Sequence, residues 1–92
     1  MYSQNDNNLN ILQRLAWSCR RGMLELDVIL TNFLQERYSQ LNDDQKQVFI
    51  EILHYPDPDL FAFLMGHAVS EVRIHQEMIE LVQDHARTRL QS

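Results

Sequence analysis

An all-α fold, a compact antiparallel bundle of five helices in one domain, follows from three features of the 92-residue chain. Apolar residues recur at spacings of three and four along most of its length and nowhere alternate as in a half-buried strand. Only two Gly and two Pro interrupt them, which favours long helices. The connections between the periodic segments are short, so successive helices pack as antiparallel neighbours by ridges and grooves. A composition 45% hydrophobic and 23% charged is that of a globular domain, and nothing in the chain reads as a linker between two.

Residues 1–8 are polar and without apolar period, so they read as a flexible N-terminal tail, with the five-helix domain spanning 9–92. The first helix is expected near Leu9, with Leu12, Leu15, Ala16 and Cys19 as its buried stripe. Arg20 and Arg21 suit a last turn, where cations face the negative end of the helix dipole, and Gly22 suits the left-handed residue that follows a helix. A second helix then starts with Glu25 and Asp27 in its first turn and buries Leu26, Ile29, Leu30, Phe33 and Leu34. Its pattern fades after Tyr38.

Asn42, Asp43, Asp44 and Gln45 form an N-cap, two dipole-compatible acids and the reciprocal partner of a capping box. The third helix turns Val48, Phe49, Ile52 and Leu53 inward and ends before Pro56, because the residue preceding a proline is pushed out of helical conformation. Asp57 and Pro58 suit the N-cap and first position of a fourth helix reaching to about Gly66. With Leu60, Phe61, Phe63, Leu64 and Met65 around its circumference, this is expected to be a central element buried on several sides. Ser70 suits the cap of a fifth helix with Glu71 in its first turn, Ile74, Met78, Leu81 and Val82 inward, and Arg87 and Arg89 near its end.

Thirteen acidic against eight basic residues give a formal charge of −5, which repels phosphate backbones and anionic lipid heads, so no nucleic-acid partner is expected. A helix-turn-helix reading rests only on the helical count and the Arg20, Arg21 pair, and the charge opposes it. Apolar runs are too short for membrane insertion. Met1 to Asn10 lacks the marks of a signal or transit peptide. A lone Cys19 allows no disulfide within the chain. A cytoplasmic, monomeric protein is expected.

Arg20 to Asp27 places four formal charges and a glycine in eight positions at a helix junction. Capping alone accounts for Gly22 and for the signs of the charges. The alternative is a recognition corner, on which a planar guanidinium and a carboxylate meet complementary groups of a partner. No catalytic set competes with these two readings. Cys19 lies near two arginines, which would favour a thiolate, but its place in the apolar stripe favours a small buried residue. His54, His67, His75 and His85 never stand four apart and have no cysteine beside them, so no metal site is expected. Asp43, Asp44, Asp57 and Asp59 all fit helix starts.

Trp17, Cys19, Arg20, Arg21, Gly22, Met23, Glu25, Leu26 and Asp27 resemble the signature of the SdhE-type flavinylation factors of succinate dehydrogenase. The resemblance continues through Leu41, Asp43, Asp44, Phe49 and Leu53 to Asp57, Pro58, Asp59, Leu60, Phe61, Leu64, Met65 and His67. It implies a five-helix, non-enzymatic, chaperone-like assembly factor that binds the flavoprotein subunit of succinate dehydrogenase, and in some members fumarate reductase, to promote covalent attachment of FAD. The family's Arg-Gly-x-x-Glu motif falls on Arg21, Gly22 and Glu25, which the resemblance places against the immature flavoprotein. Trp17, Arg20, Met23 and Asp27 would flank that contact. FAD would belong to the client, since the chain has no glycine fingerprint or phosphate loop for stable FAD binding of its own. An antitoxin-like regulatory module, a label also attached to relatives of this family, is the alternative reading.

Overall fold

The computed structural model describes residues 4–91, with side chains from 11 to 90. Its helices are α1 (Gln4–Cys19), α2 (Leu24–Arg37), α3 (Asp43–Ile52), α4 (Asp57–Leu64) and α5 (Arg73–Gln91), with a 3-10 turn at Tyr38–Gln40 between α2 and α3. No strand occurs among the described residues. The long α5 is the spine of the packing, since α2, α3 and α4 all lie against it, while α1 packs chiefly on α2. Leu26, Leu30, Phe33, Phe49, Ile52, Leu60, Ile79 and Val82 are fully buried between these helices. Phe33 stacks on Phe49 with ring centroids 5.3 Å apart, and Tyr38 closes the same cluster 5.8 Å from Phe49.

The capping box that opens α3 is complete: Gln45 N–H donates to Asn42 Oδ1 at 2.8 Å and Asn42 N–H to Gln45 Oε1 at 3.0 Å. Two of the donors that a helix start leaves unpaired are thereby satisfied. Polar clasps tie α5 to its neighbours. His75 stands between Tyr55 Oη (2.8 Å) and Glu51 Oε1 (2.9 Å), and the same hydroxyl lies 2.9 Å from Ser70 Oγ. Near the other end of α5, the buried His85 pairs with Glu36 at 2.8 Å and sets its ring edge on Phe33. Arg89 also pairs with Glu36. Its hydrogen bond is the main cause that lowers the Glu36 pKa, with His85 adding to it.

Several expectations need correction. Helix α1 begins at Gln4 rather than near Leu9, and residues 1–3 lie outside the described part. Leu15 and Cys19 are buried as expected, but Leu12 and Ala16 are exposed. The domain covers the last turns of α1, while Leu12 borders a groove that it shares with Tyr38 and Lys46. Arg20 and Arg21 lie beyond the end of α1, not in its last turn.

Gly22 is not left-handed. The one positive φ among the described residues belongs to Gly66, at 78°. There Gly66 N–H donates to Phe63 O at 3.1 Å and His67 N–H to Ala62 O at 2.8 Å, the paired bonds of a Schellman helix end, which need a residue free of Cβ strain. Helix α4 starts at Asp57 with Pro56 in the capping position, and Asp57 does not cap it. Leu60 and Leu64 are its buried residues, whereas Phe61 and Phe63 are half-buried and Met65 is exposed, so α4 is covered on one side. Helix α5 starts at Arg73, not after Ser70, whose hydroxyl instead accepts from Val72 N–H at 3.1 Å. Ile74 is half exposed because the polar first turn of α3, Asp44 and Gln45, borders the groove into which it faces. Ile79 takes the inward place.

Candidate functional site

The four residues between α1 and α2 turn the chain through a corner that is held from several directions. Arg20 N–H donates to Trp17 O at 3.1 Å, closing the end of α1. Met23 is extended, with φ −88° and ψ 120°, and its carbonyl accepts the first bond of α2 from Asp27 N–H. Asp27, in the first turn of α2, reaches back so that its Oδ2 accepts Arg21 N–H at 3.4 Å. These bonds let the chain turn without a left-handed residue, which is why Gly22 is free of that conformation.

The seven residues singled out in the sequence divide into two sets. Trp17, Arg20, Gly22 and Glu25 are exposed. Trp17 is 72% accessible, and the Arg20 guanidinium lies 5.2 Å from its ring centroid, a cation–π arrangement. Glu25 has no partner among the described residues. Arg21, Met23 and Asp27 lie inward. Met23 packs against the core, Asp27 ties the backbone, and Arg21 is only 14% accessible at its side chain. Arg21 and Glu25 therefore do not stand side by side on the surface. The guanidinium is taken up by Asp57 Oδ1 at 3.2 Å and by the carbonyl of Leu53.

Three residues near the corner escaped sequence reasoning. Asp57 reads locally as an N-cap, and no local signal shows that Arg21 will claim it. Leu24 is 73% exposed and Val28 48%, and here a signal existed. They stand two positions before the buried Leu26 and Leu30, hence about 200° away around a helix of 3.6 residues per turn.

Beside the corner runs a groove of about 350 Å³ between Trp17, Arg20 and Arg21 on one bank and Ile50, Leu53 and His54 on the other. The lining is part apolar, part cationic, and suits a peptide surface that carries acceptors. Its chemistry is that of binding. Cys19, the thiol nearby, is fully buried, and burial pushes its pKa up to about 12 against the opposing charge of Arg21. The thiolate required for attack is thus suppressed. No cluster of His, Cys, Asp or Glu able to hold a metal occurs among the described residues, and no described helix is long and apolar enough to cross a membrane.

A small helical domain whose distinctive surface is an indole, a guanidinium, a carboxylate and a bare glycine at one corner is a module for recognising another protein. Residues 13–86 match the family described as the flavinator of succinate dehydrogenase. The FAD assembly factor SdhE of Aliivibrio fischeri is 40% identical over 77 residues, covering 84% of this chain and 90% of that protein. The factor of Photobacterium profundum is 44% identical over 77 residues, covering 84% and 88%, and that of Idiomarina loihiensis 44% over 79 residues, covering 86% and 88%. The solution structure of a UPF0350 protein superposes with a TM-score of 0.72 at 34% identity, covering 99% of this chain and 92% of the other. The chain belongs to the SdhE family of FAD assembly factors, the flavinators of succinate dehydrogenase, and is an assembly factor rather than an enzyme.

Proposed function

We infer that the chain binds the flavoprotein subunit of succinate dehydrogenase, and that of fumarate reductase where present, through the face formed by Trp17, Arg20, Gly22 and Glu25. Binding favours a client conformation in which FAD becomes covalently attached. FAD and the group it bonds to belong to the client, so bond formation is theirs and the factor supplies a conformational bias. It acts as a cytoplasmic monomer that holds no FAD of its own.

The observation that carries this reading is Gly22. It is exposed, it is not left-handed, and a Cβ placed on it would meet only Asp57 Oδ2, at an unstrained 3.9 Å. Nothing among the described residues requires glycine there. A close approach from outside does, because a side chain at this point would stand between the corner and a partner's backbone.

The test uses cells whose only copy of the factor is a variant, with covalent flavin read as fluorescence of the flavoprotein band in a denaturing gel. Gly22→Arg and Glu25→Ala are each expected to lower that fluorescence while leaving the melting temperature of the purified factor within a few degrees of wild type. Gly22→Ala is expected to melt at or slightly above wild type, since alanine has fewer unfolded conformations to lose. Full client fluorescence with both Gly22→Arg and Glu25→Ala would overturn the assignment of this face.

A further inference from the structure

Arg21 is the cation of the corner that turns away from solvent. One of its terminal nitrogens donates to the Leu53 carbonyl and the other lies 3.2 Å from Asp57 Oδ1, across 32 and 36 positions of sequence. Leu53 is the C-terminal cap of α3, and Asp57 opens α4. A single side chain therefore ties the α1–α2 junction to the α3–α4 junction. Its acceptors are a carbonyl that α3 leaves without a helical partner and a carboxylate in the first turn of α4, where the helix dipole favours negative charge. Pro56 and Pro58 on either side of Asp57 limit the backbone freedom of that carboxylate.

Stability gives little reason for this arrangement. Asp57 is 26% accessible, and an ion pair within reach of water gains little over its solvated parts. Arg21 Nε is buried without a hydrogen-bond partner, which is unfavourable. What the tie does provide is geometry. Serving a carbonyl and a carboxylate in different directions requires the planar fork of a guanidinium; an ammonium is a single point charge. The second oxygen of Asp57 lies beneath Gly22, 3.9 Å from where a Cβ would be. Asp57 thus holds Arg21 with one oxygen and underlies the exposed glycine with the other.

We propose that Asp57 is a positioning residue for client recognition, which, with the Leu53 carbonyl, holds Arg21 and through it the Gly22 backbone in the geometry that the flavoprotein meets. Arg21 acts from beneath the surface rather than by touching the client. This rests on the reading that the corner is the client-binding face. Fixing the corner before encounter spares the ordering of its backbone and side chains on binding. The benefit appears in affinity and not in the melting temperature.

The experiment measures affinity of purified flavoprotein subunit for the full chain carrying Asp57→Ala, Arg21→Ala, both together, Asp57→Asn, or Glu25→Ala, alongside thermal melts and amide relaxation of the free factor. Asp57→Ala is expected to weaken binding roughly tenfold, the scale of re-ordering two or three interface residues, and to raise mobility at residues 20–23 with little change in melting. The double variant should bind no worse than Arg21→Ala, because both substitutions break one linkage. Asp57→Asn, which keeps an oxygen for Arg21, should restore most of the affinity. If Asp57→Ala does not fold, Asp57→Ser takes its place, since serine suits a helix start but is too short to reach the guanidinium. Wild-type affinity in the Asp57 variants beside weak binding by Arg21→Ala would overturn the proposal and make Arg21 a direct contact. Wild-type affinity in Glu25→Ala would instead remove the corner reading, and this inference with it.

Discussion

Cys19 shows how one buried group marks the pH range in which the domain holds. In the folded chain desolvation raises its pKa from 9.0 to about 12, with Arg21 opposing and Asp27 adding to the rise. The unfolded thiol ionises near 9, while the folded thiol keeps its proton to about 12. The unfolded state is therefore the one that releases a proton as pH rises through this window, and the stabilisation present below pH 9 is progressively lost above it. One proton corresponds to about 1.4 kcal/mol for each pH unit. Urea unfolding between pH 9 and 11 should show a slope steeper by roughly that amount in wild type than in Cys19→Ala; equal slopes would contradict the burial argument. At this scale sequence reasoning was sound for Cys19, whose place on the Leu15 face is a local matter. It could not see that Arg21 would turn inward, because the acceptors that draw it in lie more than thirty residues away.

Local rules succeeded at helix ends wherever no distant group competed for the capping side chain. Asn42 and Gln45 satisfy one another three residues apart, so nothing beyond the segment was needed to recognise the start of α3. Asn42→Ala leaves Gln45 N–H without its acceptor and should destabilise the domain by about 1 kcal/mol, with a range of roughly 0.5 to 2, read as a shift in the urea midpoint at unchanged slope. A cost near zero would mean that water replaces the cap without loss. Asp57 and Ser70 have the same local credentials, yet Arg21 takes the first and the Tyr55 hydroxyl meets the second, and α4 and α5 begin one and two residues from the expected places. The glycine that ends a helix in left-handed conformation is Gly66, not Gly22. The two look alike locally, but the Arg21 and Asp27 bonds already turn the chain at Gly22, while at Gly66 paired backbone bonds close α4 and the Gln83 side chain donates to the Phe63 and Leu64 carbonyls.

At the scale of the whole molecule, five helices were legible because each carries an apolar stripe at helical spacing, and the stripes of α2, α3 and α5 meet in the Phe33 and Phe49 core as expected. The reach of each stripe was not, since a 92-residue chain has too little interior to cover Leu12, Met65 or Ile74. With so small a core, total stability is on the order of 5 to 10 kcal/mol, and Leu60, fully buried on α4, accounts for a sizeable part of it. Leu60→Ala should cost about 2 to 5 kcal/mol and lower the melting temperature by on the order of 10 to 40 °C. Glu25, exposed and unpartnered among the described residues, should leave melting within a few degrees of wild type when replaced by alanine. Both variants should reduce covalent flavin in the client at 37 °C for different reasons, one by depleting the folded factor and the other by weakening the folded factor's grip. Cooling the flavinylation reaction well below the melting point of Leu60→Ala separates them: that variant should recover to near the wild-type level at the same temperature, and Glu25→Ala should not. Persistent failure of a folded Leu60→Ala would mean that α4 transmits its packing to the corner through Asp57, three residues away on the same helix, and that core and recognition face are one unit rather than two.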